Sequence, residues 1–449
     1  MASSVFDMQC LQDNWSTAEL RRIFSEQARY EKWLMFEAAL AAAQAELGMV
    51  PQAAAVEIGE HCRIENLDPA AIAQEVRRIK HPLVPVLRHI QAQCSGTSGE
   101  WLHFGATTQD VVDTGTVLQL KDAHTVFVRD IARVQAELNR LALEHRDTPM
   151  VGRTHGIQAL PITFGHKCAI WSDEMRRHAQ RFERSGEAVL TGMVAGAVGS
   201  QASMGELAKA VEDGTLKRLG LNSPLISWAP ARDRFTEYAL NIAMLGATLS
   251  KIANELFNMQ RNEIAEVEEI FSEGKVGSST MPHKRNPVLS ENIAGLSRTL
   301  RANASLMLEG MVQEGERDGI SWKVEYKALP ECCMILGAML AQSIMLLGGL
   351  RVDRQAMGRN IGLLKGYLLS ERVMLEVGRR VGKQTAHEWV YEASMAGLEQ
   401  GLDFSTALRA HPRLSQALTP EQIEELTDPS HYLGACGAAV DRVLASQNQ

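Results

Sequence analysis

Phe127-Val128-Arg129-Asp130-Ile131-Ala132-Arg133-Val134-Gln135-Ala136-Glu137-Leu138-Asn139-Arg140-Leu141 carries large apolar residues at 127, 131, 134, 138 and 141. Steps of four, three, four and three place them on one stripe of an α-helix, the seam along which helices pack nearly parallel. The surrounding stretch 114–146 contains no proline and one glycine, Gly115, so a helix of many turns is expected. The stretch 233–273 repeats the pattern with Leu245, Leu249, Ile252, Leu256 and Met259. As one helix it would be about 60 Å long at 1.5 Å per residue. A single domain has no need of such a rod. A bundle shared between subunits does, and an obligate oligomer is expected.

Outward from this centre the chain stays helical. Thr17 to Leu47 shows Leu20, Ile23, Trp33, Leu34, Phe36, Leu40 and Leu47 on repeating turns, with Gly48 as a C-cap and Pro51 as a breaker. Shorter helices broken by Pro69, Pro82 and Pro85 follow as far as Gly99. Strand signals are scarce. Gly192–Gly205 is rich in Gly, Ala and Ser and reads as a loop with a mobile backbone, and a carboxy-terminal domain begins near Arg351. The expectation is an all-α chain in three helical domains: 1–105, a long central helix bundle over 106–350, and 351–449. Cys332–Leu350 approaches the roughly 20 apolar residues that span a bilayer. It holds three glycines, has no aromatic belt and no flanking basic cluster, and so reads as a buried bundle helix.

Composition narrows the function. Of 449 residues, 45% are hydrophobic and 22% charged, as in ordinary soluble proteins, and the net charge of −8 gives no basic footprint for nucleic acid. Seven scattered cysteines without CxxC spacing suit reduced core residues in a cytoplasmic protein. The amino terminus shows no basic region followed by an apolar run, so no signal peptide is expected. No metal or cofactor is expected either. There is no clustered His/Cys/carboxylate set, no GxGxxG after a strand and no phosphate loop.

Between two helical stretches lies Gly277-Ser278-Ser279-Thr280-Met281-Pro282-His283-Lys284-Arg285-Asn286-Pro287. Its turn formers, prolines and cations fit neither helix nor strand, and a polar loop between long helices is a natural seat for chemistry. A basic surface turn is the other reading. The segment closely resembles GSSxMPxKxNP of the fumarase/aspartase superfamily. Further resemblance lies in His103-Phe104-Gly105-Ala106-Thr107-Thr108-Gln109-Asp110 and in Gly152-Arg153-Thr154-His155-Gly156, and it covers essentially the whole chain. Adenylosuccinate lyase and 3-carboxymuconate cycloisomerase are the most similar branches. The resemblance implies a homotetramer with active sites shared between subunits and a small dicarboxylate or tricarboxylate substrate.

An anti-elimination from a succinyl compound needs a base beside a carboxylate, stabilisation of the resulting dianion, and an acid for the leaving atom. By position, the resemblance makes Ser278 the base. It makes Lys284 the cation for substrate carboxylates, Asn286 a neutral hydrogen-bond partner, and Glu291 the group that orients the lysine or a histidine. His155 matches the general acid, a role that suits histidine as a residue type, with Thr154 beside it. His81 falls where adenylosuccinate lyase carries another site histidine. Thr107, Thr108 and Gln109 match a carboxylate-binding segment, and Arg317, Ser370 and Arg372 match substrate contacts. Without the family, Ser278 is a turn residue, His155 a helix cap, Asp110 and Asp113 caps of the next helix, and the arginines surface ion pairs.

Two departures stand against adenylosuccinate lyase itself. Ala231-Arg232-Asp233-Arg234 replaces Gln-Arg-Asp-Arg, and the amino-terminal phosphate contacts are not evident. Asp428–Gly434, Trp322 and Glu325 resemble the cycloisomerase, yet bacterial cycloisomerases commonly lack a histidine at the position of His155. The first reading is a lyase that cleaves a C–N or C–O bond of a substituted succinate and releases fumarate. The alternatives are a cycloisomerase that closes a lactone and a non-catalytic structural relative.

Overall fold

The computed structural model describes residues 3–270 and 280–446. Helices make up 69% and strands 4%, an all-α architecture. We label the five longest helices α1 (Thr108–Glu144), α2 (Phe164–Val189), α3 (Asp233–Met259), α4 (Val288–Glu309) and α5 (Gly319–Gly348). Every stripe residue named for α1 and α3 is buried, from Phe127 to Leu141 and from Leu245 to Met259. Each fully buried Leu, Ile or Phe contributes on the order of 1.5–3 kcal/mol. A Cβ on Gly115 would lie 2.6 Å from Trp33, so this glycine in α1 marks a close approach to the helix Glu26–Glu46.

Three expectations change. Thr17–Leu47 is two helices, Ala18–Ile23 and Glu26–Glu46, because Ser25 turns extended and its side chain accepts the Ala28 N–H at 3.1 Å. α3 ends at Met259 rather than near Glu273. Ala265 then turns left-handed (φ 52°), and strand β3 (Val267–Glu268) pairs antiparallel with β4 (Arg351–Val352). The segment 192–201 is a loop with a pinned backbone, followed by a 3-10 helix, Ala202–Leu207. Met193 exchanges two 3.0 Å hydrogen bonds with Thr114, Val194 N–H donates to Glu212, Ala195 and Gly196 donate to Asp110, and the Trp228 indole donates to the Gly192 carbonyl. A Cβ on Gly192 would run into Leu216, so that glycine serves close packing rather than motion.

Among the described residues, α5 alone is long and apolar enough to cross a membrane, and 61% of its apolar window is buried inside the chain, as suits a core helix. All seven cysteines are free.

Contacts group the chain into two compact units. The first holds residues 1–132, 178–250 and 292–342, and the second 133–177, 251–291 and 343–449. Segment 1–105 falls in the first, 351–449 in the second, and 106–350 is divided between them. The three-domain division by chain order stands as a proposal.

The first unit is centred on Phe127, Phe182 and Tyr238, with edge-to-face ring pairs at 6.0 and 5.7 Å. The second contains a hairpin, β1 (Pro149–Thr154) with β2 (Ile157–Thr163), and a helical cluster built on Val373, Val377, Val390, Phe404 and Leu408.

Candidate active site

The candidate residues divide between the two units. His81, Thr107, Thr108, Gln109 and Arg317 belong to the first; Thr154, His155, Lys284, Asn286, Glu291, Ser370 and Arg372 belong to the second. Ser278 lies outside the described residues.

In the first unit the entry to α1 assembles a polar cluster. Thr107 precedes the helix, and its N–H donates to Asp110 Oδ2 at 3.0 Å, one half of a capping box. The same carboxylate accepts the Ala195 and Gly196 N–H groups at 2.9 and 3.0 Å. Burial pushes the Asp110 carboxyl up to about 6, against the pull of these three N–H donors. Asp110 therefore ties the glycine-rich loop to the start of α1. That is more than the cap suggested by its position.

Arg317 donates to Thr107 Oγ1 at 2.6 Å, and the His81 Nε2 lies 3.4 Å from Thr108 Oγ1. The Val84 N–H donates to His81 Nδ1 at 3.2 Å, which leaves the proton of the neutral ring on Nε2, toward Thr108. Burial, and then the neighbouring His103, hold the His81 pKa below its ordinary value, which favours that neutral ring. Gln109 differs from expectation. It is buried, with its Nε2 donating to Asp113 Oδ2 (3.0 Å) and the Ala229 carbonyl (3.1 Å), so its amide N–H groups are spent inside the unit.

His103 is the member that the residue-by-residue reading passed over. It sits left-handed (φ 62°), with Nδ1 2.7 Å from Oε1 of Glu37, a carboxylate 1% exposed. Burial alone would lower its pKa, but the Glu37 charge and hydrogen bond outweigh burial and raise it. The available signal was a lone Glu inside the apolar run Leu34–Leu40.

Because its folded-state pKa is raised, His103 contributes stability that is fully present below 6.5 and lost as the pH climbs through the folded value. Glu37→Gln removes that contribution. In urea denaturation the stability deficit of the variant is expected to be wider at about pH 6 than at about pH 9. An equal deficit at both would contradict the pairing.

In the second unit His155 occupies a hairpin tip rather than a helix cap. His155 and Gly156 have φ of 53° and 80° between the paired Thr154 and Ile157, the pattern of a two-residue type I′ turn. The alternation that would announce these strands is broken by a register shift between Val151 and Arg153. Thr154, His155 and Ile157 are exposed, so the imidazole is presented outward.

Lys284 and Asn286 line a cavity of 1150 Å³, together with Arg261, Arg351 and Arg354. Beside them Arg285 pairs with Glu268 at 2.6 Å. Glu291 is exposed in the first turn of α4, and Glu269 caps that helix through the Leu289 and Ser290 N–H groups at 3.0 and 2.9 Å. Ser370 opens the helix Ser370–Val381. Arg372, two residues on, lines a separate cavity of 450 Å³. There it donates to the Glu425 carbonyl at 2.5 Å and lies over the Tyr432 ring, commitments that make it a clamp within the carboxy-terminal helices. Among the described residues no group of three or more His, Cys, Asp or Glu is placed to hold a metal ion.

Residues 14–301 match the family model described as "Lyase", and residues 366–443 match "Adenylosuccinate lyase C-terminus". The chain is 49% identical to N-acetyl-S-(2-succino)cysteine lyase of Dickeya dadantii, over 99% of this chain and 98% of that one. It is 48% identical to the protein of the same name from Enterococcus italicus, again over 99% and 98%. Among solved structures, the 3-carboxy-cis,cis-muconate lactonizing enzyme of Pseudomonas putida matches with a TM-score of 0.91 at 32% identity, covering 98% of this chain and 99% of that one.

Proposed function

This chain belongs to the fumarase/aspartase superfamily of enzymes, and on that premise we propose that it eliminates a thiol from an S-substituted succinate and releases fumarate. The observation that carries this reading is the pair of relatives at 49% and 48% identity over nearly the whole chain, both named for N-acetyl-S-(2-succino)cysteine. Sequence reasoning considered only C–N and C–O bonds. The succinothioether is a C–S case that the loop motif could not specify, because the motif handles the succinyl half common to all three.

In the proposed reaction the Ser278 oxygen removes a proton from the succinyl carbon next to a carboxylate. Lys284 and Asn286 stabilise the dianion, on which the negative charge is largest. The adjacent C–S bond then breaks with its electron pair on sulfur, and His155 supplies the proton that completes the thiol. The products are fumarate and N-acetylcysteine. Ala231 and the missing phosphate contacts support a small leaving group over a nucleotide. The second reading, lactone formation by a cycloisomerase, is supported by the fold match to the P. putida enzyme. A panel of N-, O- and S-substituted succinates and carboxymuconate, followed in the fumarate absorbance band, separates them. The highest kcat/KM is expected on the thioether. Consumption of carboxymuconate alone would overturn the proposal.

A homotetramer in the cytoplasm is part of the same proposal. Exposed Met244, Leu308 and Met311 line an apolar groove of 660 Å³ on the first unit, which a second copy would cover. Sedimentation at micromolar concentration is expected to give a tetramer; a monomer would contradict active sites shared between subunits.

A further inference from the structure

We propose that Glu266 is a positioning residue for His155, acting through Arg153; this rests on the elimination reading above. Glu266 is wholly buried, and its carboxylate grips the Arg153 guanidinium with two hydrogen bonds, Nη1 to Oε2 at 2.9 Å and Nη2 to Oε1 at 2.7 Å. The amide of Asn360, also buried, donates to the same Oε1 at 2.9 Å and to the Ile264 carbonyl at 2.8 Å. The backbone of Glu266 is equally fixed. Its N–H donates to the Met259 carbonyl, its carbonyl accepts the Asp353 N–H, both at 2.9 Å, and Val267 pairs with Val352. The preceding Ala265 is held left-handed, a conformation that a residue with a Cβ enters only at a cost, so tertiary contacts rather than local preference hold this turn.

Arg153 is two residues before His155 on β1. A two-stranded hairpin is marginal on its own. The ladder is also interrupted by the register shift just before Arg153, and the tip beyond it is exposed. The ladder alone therefore fixes the direction of the tip weakly. The planar, two-point Arg–carboxylate bond supplies the missing constraint, because it resists rotation as well as displacement. It anchors the histidine hairpin to strand β3, which precedes the segment of Ser278 and Lys284 in the chain. Glu266 touches no reacting atom. Its effect belongs to the proton-transfer step and not to ground-state binding.

Glu266→Gln preserves shape and removes the charge. On the substrate turned over best, kcat is expected to fall at least about tenfold with KM nearly unchanged. In a His155→Ala background the same change is expected to cost less than about twofold, since the imidazole it orients is gone. Glu266→Asp is expected to recover part of the loss. Arg153→Lys, which keeps the charge and loses the fork, is expected to behave like Glu266→Gln.

Orientation can also be read without turnover. Carbethoxylation by diethylpyrocarbonate, mapped by peptide mass spectrometry, is expected to change at His155 and stay unchanged at the exposed His387 and His431. Multiplicative kcat losses in both backgrounds, unchanged labelling of His155, or failure of both Glu266→Gln and Arg153→Lys to fold would overturn the inference. A wild type inactive on every substituted succinate would reject the functional reading instead, and the labelling would still decide the role of Glu266.

Discussion

Ser278→Ala is expected to lower kcat at least about a hundredfold on an S-substituted succinate, and His155→Ala to do the same, each equivalent to about 2.7 kcal/mol of lost transition-state stabilisation. The proton to be removed is weakly acidic, and a serine removes it only as an alkoxide, so its replacement leaves a methyl group with no basic atom. In the proposed elimination His155 enters after the C–S bond begins to break, and without it the developing thiolate must take its proton from water. The two losses arise at different points along the reaction and affect kcat more than KM. They are also expected to fall short of multiplying, because in a stepwise elimination the slower of the two steps sets kcat. Wild-type turnover in either variant would remove the role given to that residue.

A comparable effect on stability is expected at Arg232. Its side chain is wholly buried. Nη1 and Nη2 donate to Asp113 Oδ2 and Oδ1 at 2.7 and 3.1 Å, and Nε and Nη2 donate to Glu325 Oε1 and Oε2 at 2.8 and 2.6 Å. The guanidinium also lies against the Trp228 and Phe235 rings, 5.2 and 5.0 Å from their centroids. Arg232→Met fills similar volume but strands two buried carboxylates, which typically costs about 3–5 kcal/mol.

The pH dependence of that cost has a definite sign. Burial raises the Glu325 pKa, and Arg232 opposes the rise. With Arg232 gone, the folded-state Glu325 carboxyl is raised further above its unfolded value. The variant then gains stability as the pH falls and Glu325 becomes protonated. Urea denaturation is expected to show a stability deficit that is large at about pH 8 and narrower at about pH 5. A deficit that is absent, or that widens in acid, would contradict the buried triad. The loss is also expected to reach the proposed active site, because Gln109 hydrogen-bonds Asp113 one turn below Thr107 and Thr108.

Sequence made the long helices legible because four-three spacing survives any packing partner. The segments at Thr107, His155 and Lys284 stand out in the sequence because each is a local run that resembles the family's. What it missed depends on separation in the chain. Asp113, Arg232 and Glu325 meet only after folding, as do Glu37 with His103 and Arg153 with Glu266. The helix break at Ser25 was readable in principle, from a Ser followed by Glu26, but an unbroken apolar pattern masked it. The hairpin was hidden by its own irregularity, because the register shift near Gly152 moves the apolar residues out of strict alternation. Arg372 matches a substrate contact by sequence, and in the folded chain it donates to the Glu425 and Asp428 carbonyls, more than 50 residues away in the chain. No residue pattern read along the chain could name the atom attached to the succinyl carbon.

Incubating the purified protein with N-acetyl-S-(2-succino)cysteine and following the mixture by proton NMR tests the central claim most directly. Equal amounts of fumarate and free N-acetylcysteine are expected to appear as the substrate disappears. An unchanged thioether, alongside lactone formation from carboxymuconate by the same preparation, would contradict the elimination and leave the cycloisomerase.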